Sequence, residues 1–135
     1  MLTEEQRENL IQAALQARRW AYAPYSHFDV GAAVLTASGK IYDGCNIENA
    51  AFPVTICGER VAVFKAVSEG EREIEAIAVV TNRGYAPCGS CRQVLNEFGP
   101  RMRVVIVNQE GQVIQETTLD ALLPGSFGPK ELSER

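Results

Sequence analysis

The hydrophobic and polar positions of the chain change period several times, and each change marks a new element. Apolar residues at Leu10, Ala13, Ala14, Ala17 and Ala21 recur at helical spacing, which predicts a helix over residues 4–21. Thr3 and Gln6 have the form of a capping box at its start. Gln12, Gln16 and Arg19 fall on the polar face. Trp20 is expected to anchor the helix end in the core, with stacking at a ligand site as the alternative. Pro24 forbids continuation of the helix. Residues 28–35 then read as a strand, Ser38-Gly39 as a hairpin turn and residues 40–45 as the returning strand. Gly31, Ala32 and Ala33 signal close approach to the first strand, either by a helix or by a ligand.

A second helical pattern covers residues 57–68, with Val61, Phe64, Ala66 and Val67 as its apolar positions and Gly70 past its end. The nearly continuous apolar run 74–81 suits a strand covered on both faces. A third helix starts at Cys88 or Ser90 and runs to Phe98, with Val94, Leu95 and Phe98 inward, until Gly99-Pro100 stops it. Strands over 103–107 and 112–116 flank a turn, and Thr118 is placed to cap a short helix through Leu122. Residues 124–135 are expected to be irregular. This order predicts one domain over residues 1–135, an α/β fold with a mixed sheet and helices on both faces.

Composition narrows the partners. Hydrophobic residues make up 46% of the 135 residues and charged ones 22%, ordinary values for a packed soluble domain. The net charge is -4 and no run of Lys and Arg stands out, so nucleic acid is not an expected partner. No apolar stretch is long enough to span a bilayer, so no membrane partner is expected either. The acidic, polar residues 1–9 do not resemble a secretory signal, which makes the cytoplasm the expected location. Four cysteines in a reducing compartment read as metal or catalytic thiols before disulfides.

Three of these cysteines carry the chemistry. Cys57-Gly58-Glu59-Arg60 and Pro87-Cys88-Gly89-Ser90-Cys91 each fall at a predicted helix start. There the free backbone N–H groups and the helix dipole lower a thiol's pKa and favour the thiolate. Cys57, Cys88 and Cys91 are enough to hold a zinc ion whose fourth position stays open to water, the mark of a catalytic site. Glu59, not itself a ligand, is the candidate proton carrier beside that water. Three thiolates leave the site more negative than neutral ligands would. Arg60, on the first helical turn, is placed to reach back toward a ligand sulfur and tune that charge, or else is a surface arginine. A structural zinc knot closed by Cys45 is the competing arrangement; Cys45 otherwise reads as a small buried hydrophobe. His27, the only histidine, reads as a turn or surface residue. Asn46-Ile47-Glu48-Asn49-Ala50 lies where open α/β sheets bind ligands. It is either a loop satisfying its own backbone, which composition favours, or a hydrogen-bonding platform for a polyhydroxylated ligand.

At these residues the chain resembles the cytidine deaminases, of the small homotetrameric kind with three cysteine ligands. The resemblance takes in Tyr22-Ala23-Pro24-Tyr25-Ser26, Phe28 with Val30 to Ala33, Gly44 to Ala50, Cys57 with Glu59-Arg60, Pro87 to Gln93 and Leu122-Leu123-Pro124. It implies a three-layer α/β/α fold with a mixed five-stranded sheet. It also implies zinc-dependent hydrolytic deamination of cytidine and 2′-deoxycytidine in pyrimidine salvage, with Glu59 moving the protons. Asn46 and Glu48 would hold the ribose 3′-hydroxyl, against the composition-based reading of that loop. Phe28 would lie beside the nucleoside, the Gly58 backbone would serve the substrate, and Phe127 would reach into a neighbouring subunit's site. Gly58 stands where alanine is usual, and Phe52 where tyrosine is common. Alternatives are a deaminase for another cytosine compound, a nucleic-acid editor, which the acidic balance disfavours, and a non-enzymatic zinc-stabilised binding module.

Overall fold

The computed structural model describes residues 2–133. The elements are α1 (Glu4–Arg18), β1 (Gly31–Thr36), β2 (Ile41–Cys45), α2 (Gly58–Ser68), β3 (Ile74–Val80), α3 (Gly89–Phe98), β4 (Arg103–Val107), β5 (Val113–Thr118), α4 (Leu119–Leu122) and α5 (Pro129–Ser133). A short 3-10 turn covers Phe52–Val54. The five strands form one sheet in the order β2-β1-β3-β4-β5. β1 is antiparallel to both β2 and β3, β3 is parallel to β4, and β5 is antiparallel to β4. The sheet is therefore mixed, as predicted.

Strand alternation divides the core in two. On one face α1 places Leu10, Ile11 and Ala14 over Ala33, Leu35, Ala78 and Val80. On the other, Ala62, Val63 and Ala66 of α2 and Leu95 of α3 cover Ala32, Val34, Ile77 and Val79, with Leu119 of α4 in the same cluster. The predicted α/β/α layering follows from this division.

Two glycines set how closely the layers approach. A Cβ on Gly31 would stand 2.1 Å from the Ala14 carbonyl oxygen of α1. A Cβ on Gly44 would stand 2.6 Å from the Ala62 nitrogen and 2.7 Å from the Gly58 oxygen of α2. The small residues of β1 thus answer to a helix at Gly31, which resolves the two readings of that stretch.

Several expectations need correction. α1 ends at Arg18 rather than at residue 21, and Trp20 is 80% exposed instead of buried. The chain has already turned there toward Tyr22, whose backbone bridges to Ile47. On α2 the buried positions are Gly58, Glu59, Ala62, Val63 and Ala66, while Phe64 is exposed; at Gly44 the helix approaches the strand through Gly58 and Ala62. β1 begins at Gly31 rather than at 28, because the backbones of Phe28 and Asp29 are held by the side chains of Asn46 and Arg18. Thr118 precedes α4, but its hydroxyl bonds to Asp120 and caps no backbone N–H. The tail forms α5, whose start is fixed by the Gly128 N–H donating to Glu131 Oε1 at 2.7 Å. The capping box at Thr3 and Gln6 forms as expected. Residues 134–135 of the tail lie outside the described residues. No helix among the described residues is long and apolar enough to cross a membrane.

One ion-pair group ties α1 to the far edge of the sheet. Arg7 donates to Glu116 from Nε at 2.9 Å and from Nη2 at 3.0 Å, and Arg103 adds a third bond at 3.2 Å. The Arg7 hydrogen bond, followed by Arg103, holds the Glu116 carboxyl below the usual glutamate range despite some desolvation. A depressed folded-state pKa contributes stability above the unfolded value, about 4.3, and loses it as pH falls through the folded value. Glu116→Gln is therefore expected to lower stability at pH 7. The gap from wild type should close in urea titrations below about pH 4, and a gap independent of pH would remove the pair from the account.

Candidate active site

Two antiparallel steps, from β2 to β1 and from β1 to β3, return the chain direction, so β2 and β3 run the same way. Their C-terminal ends lie at one end of the sheet, and α2 and α3 start after them. Cys57 is the N-cap residue of α2 and Cys88 that of α3, each in extended backbone. Cys91, one turn into α3, is fully buried. Topology thus brings together residues more than thirty positions apart. The sulfurs of Cys57, Cys88 and Cys91 lie within 4.8 Å of one another, and all four cysteines are free thiols. That spacing suits one ion with metal–sulfur bonds of about 2.3 Å. Cys45 is not in the group, so the closed four-cysteine knot does not form.

The electrostatics fit a cation. A hydrogen bond from Cys91 and another from Arg60 draw the Cys57 thiol down to about 5, against the effect of its burial. The same bond to Cys57, with burial, pushes the Cys91 thiol up. Left to themselves the sulfurs share protons; a divalent cation would let all three ionise. Arg60 Nη2 donates to Cys57 Sγ at 3.2 Å, which brings Arg60 to the cluster rather than to the surface. Its Nε is buried and has no hydrogen-bond partner.

Glu59 is 5% exposed. Burial, helped by the charge on Cys57, raises its carboxyl to about 7, and Arg60 opposes the shift. A cation held by the sulfurs acts in the same opposing direction. Glu59, Cys57 and Cys88 line one side of a cavity of about 310 Å³, whose other walls include Ser26, Phe28, Asn46 and Glu48. A groove of about 450 Å³ lies elsewhere, between the start of α1 and residues 98–103, and holds none of the predicted site residues.

The loop after β2 bonds to nearby backbone groups and lines the cavity. Asn46 Oδ1 accepts from the Val30 N–H at 2.9 Å and its Nδ2 donates to the Phe28 carbonyl at 2.7 Å. Glu48 Oε1 accepts from the N–H groups of Tyr25 (3.0 Å) and Ser26 (3.1 Å), and the Ser26 hydroxyl donates to Oε2. These bonds, the Ser26 hydroxyl first, hold the Glu48 carboxyl low. The loop satisfies backbone groups and still presents both side chains to the cavity. His27 sits at the turn with φ 59°, just before Phe28. Gly58 opens α2, where a Cβ would stand 3.2 Å from the backbone of Cys45 and Asn46. The structure does not bring Phe127 to this cavity: its ring is 59% exposed, and its carbonyl accepts from Gln93 and Asn96 at 3.1 Å. Tyr85 and Thr81 also line the cavity and carry no motif that would single them out.

A sequence model described as the cytidine and deoxycytidylate deaminase zinc-binding region matches residues 4–108. The chain belongs to the cytidine deaminase family. It is 52% identical over 129 residues to the cytidine deaminase of Sporosarcina psychrophila, covering 93% of this chain and 94% of that one. It is 50% identical over 131 residues to the Halalkalibacterium halodurans enzyme, covering 95% and 98%. The crystal structure of cytidine deaminase from Burkholderia pseudomallei superimposes with a TM-score of 0.85 at 46% identity, covering 93% of this chain and all of that one. The chain is accordingly an enzyme of the cytidine deaminase class, and its cysteine cluster fits the zinc that the family binds.

Loss of one sulfur should be decisive for the metal. Cys88→Ala is expected to purify with well under one zinc per chain by elemental analysis, because two thiolates hold the ion poorly. Cys45→Ala should keep full zinc occupancy, and the reverse pattern would reject this ligand set.

Proposed function

We propose that the chain hydrolyses cytidine and 2′-deoxycytidine to uridine and 2′-deoxyuridine with release of ammonia. The observation that carries the reading is the buried carboxyl of Glu59 in one cavity with the sulfur cluster. Cys57, Cys88 and Cys91 would hold the zinc. Zinc in such a setting supplies Lewis acidity that makes water a usable nucleophile near neutral pH. Glu59 would take a proton from the attacking water, deliver one to N3 of the ring and assist departure of ammonia. Arg60 offsets the excess negative charge of the ligand set through Cys57. Asn46 and Glu48 hold the ribose 3′-hydroxyl, Phe28 lies beside the nucleoside, and the backbone at Gly58 serves the substrate.

The cavity lining favours a nucleoside over a nucleotide. It includes two carboxyl groups, Glu48 and Glu59, and no lysine or arginine, so a 5′-phosphate would meet repulsion without a cation to pair with. Free cysteines throughout suit a reducing cytoplasm, where pyrimidine salvage takes place, and residues 1–135 act as a single deaminase domain. The oligomer is a homotetramer with shared sites. In support, Phe127 is exposed and outside its own chain's cavity, and Tyr22, Ile47, Phe52 and Val54 are exposed around the loops beside that cavity.

Glu59→Gln tests the assignment. It should keep the fold and the zinc but slow cytidine turnover by about 10³-fold or more, followed by the absorbance change as uridine forms. Turnover within about tenfold of wild type would remove Glu59 from the reaction. Phe127 is tested by mixing. If it acts in a neighbour's site, hybrids of Phe127→Ala and Glu59→Gln chains should recover activity that neither parent shows at low cytidine. Verified hybrids without recovery would reject the shared site.

A further inference from the structure

One aromatic side chain of the cavity lies outside every motif of the sequence. Tyr85 sits three residues before Cys88, in the loop from β3 to α3, and lines the cavity together with Phe28. The two ring centroids are 6.2 Å apart with planes inclined by 31°, so they form one continuous apolar wall. The rings arrive from different parts of the chain, Phe28 just before β1 and Tyr85 after β3.

The backbone at Tyr85 is held in place. Thr81 Oγ1 accepts from the Gly84 N–H at 2.9 Å and from the Tyr85 N–H at 3.0 Å. Gly84, at φ 87°, presses on β5, and a Cβ there would stand 2.6 Å from Ile114 Cγ1. The ring is half exposed nonetheless, and its hydroxyl has no hydrogen-bond partner among the described residues. An exposed aromatic face fixed at the edge of a concave site gains by being covered with a ligand of its own kind, flat or apolar.

We propose that Tyr85 is a substrate-contacting specificity residue whose ring, side by side with Phe28, packs directly against the bound nucleoside. The inference rests on the cytidine deaminase reading of the cavity. The contact belongs to the ring, and the hydroxyl takes no part in it.

Steady-state kinetics on zinc-loaded enzyme test this, with inhibition by the product uridine as a measure of binding apart from turnover. Tyr85→Ala should raise both KM for cytidine and Ki for uridine by about 5- to 10-fold, with kcat within about twofold. Tyr85→Phe should match wild type. In a Phe28→Ala background, Tyr85→Ala should raise KM by about threefold or more again, because its contact does not pass through Phe28. Unchanged KM and Ki in Tyr85→Ala, or equal losses in the Phe and Ala variants, would overturn the proposal. So would the absence of any further rise in the Phe28→Ala background, which would leave Tyr85 as a prop for Phe28. If Tyr85→Ala fails to fold or to hold zinc, Tyr85→Leu is read by the same criteria. Wild-type enzyme without cytidine turnover would reject the deaminase reading and this inference with it; turnover with an unaffected Tyr85→Ala variant rejects only the latter.

Discussion

α2 lies directly on β2 at Gly44, with no side chain between the two backbones, and the geometry of the cavity depends on that contact. The end of β2 leads into Asn46 and Glu48, and the start of α2 carries Cys57 and Glu59. These are the two halves of the cavity, one facing a sugar in the proposed function and the other facing the reacting ring. A Cβ at position 44 would meet Ala62 and Gly58 at under 3 Å and lift one half off the other. A second close approach reinforces the first, since Gly58 rests on the backbone of Cys45 and Asn46. There the clash is milder, and an alanine would ask those neighbours to give by only a few tenths of an ångström. The glycine in this chain relaxes a constraint and leaves the ligand set untouched.

The same packing answers the electrostatic difficulty of three sulfurs in one place. Each segment that brings a sulfur does so at a helix start, where unpaired N–H groups and the dipole favour negative charge. Arg60 completes the arrangement from inside the first turn of α2. A buried N–H without a partner ordinarily costs about 1–3 kcal/mol, and the unpartnered Nε of Arg60 is tolerable only where the local potential is strongly negative. The guanidinium and the sulfurs thus stabilise each other's burial, and a cation bound among the sulfurs would share that role.

Much of this was legible from the chain alone, for a physical reason. Helix starts, period changes and the two cysteine segments are local signals, and local signals fix where α2 and α3 begin and which sulfurs they carry. What was misread depends on contacts between elements. Hydrophobicity pointed to Trp20 as a core residue, but it is exposed, because α1 ends before it; Phe64, an apolar position of the α2 pattern, is exposed too, because α2 presents the small series Gly58, Ala62 and Ala66 to the sheet. Tyr85 and Thr81 had no signal at all, since their place in the cavity comes from the pairing of β3 with β1 and from the loop that follows β3.

The loop after β2 shows why residue types alone left two readings open. Glu48 is fixed by two backbone N–H groups and a hydroxyl before any ligand arrives, and Asn46 is fixed by Val30 and Phe28. Such bonds are what a self-satisfying loop requires. They are also what preorganisation requires: a carboxylate held ionised and in one orientation can accept from a ligand hydroxyl with little further ordering. Because Ser26 also accepts from the Phe28 N–H at 3.1 Å, the carboxylate and the aromatic wall are tied through one hydroxyl. In the proposed function, recognition of the sugar and the backbone position of Phe28 would then share a single network, so that satisfying the backbone and building the binding platform would be one structural act.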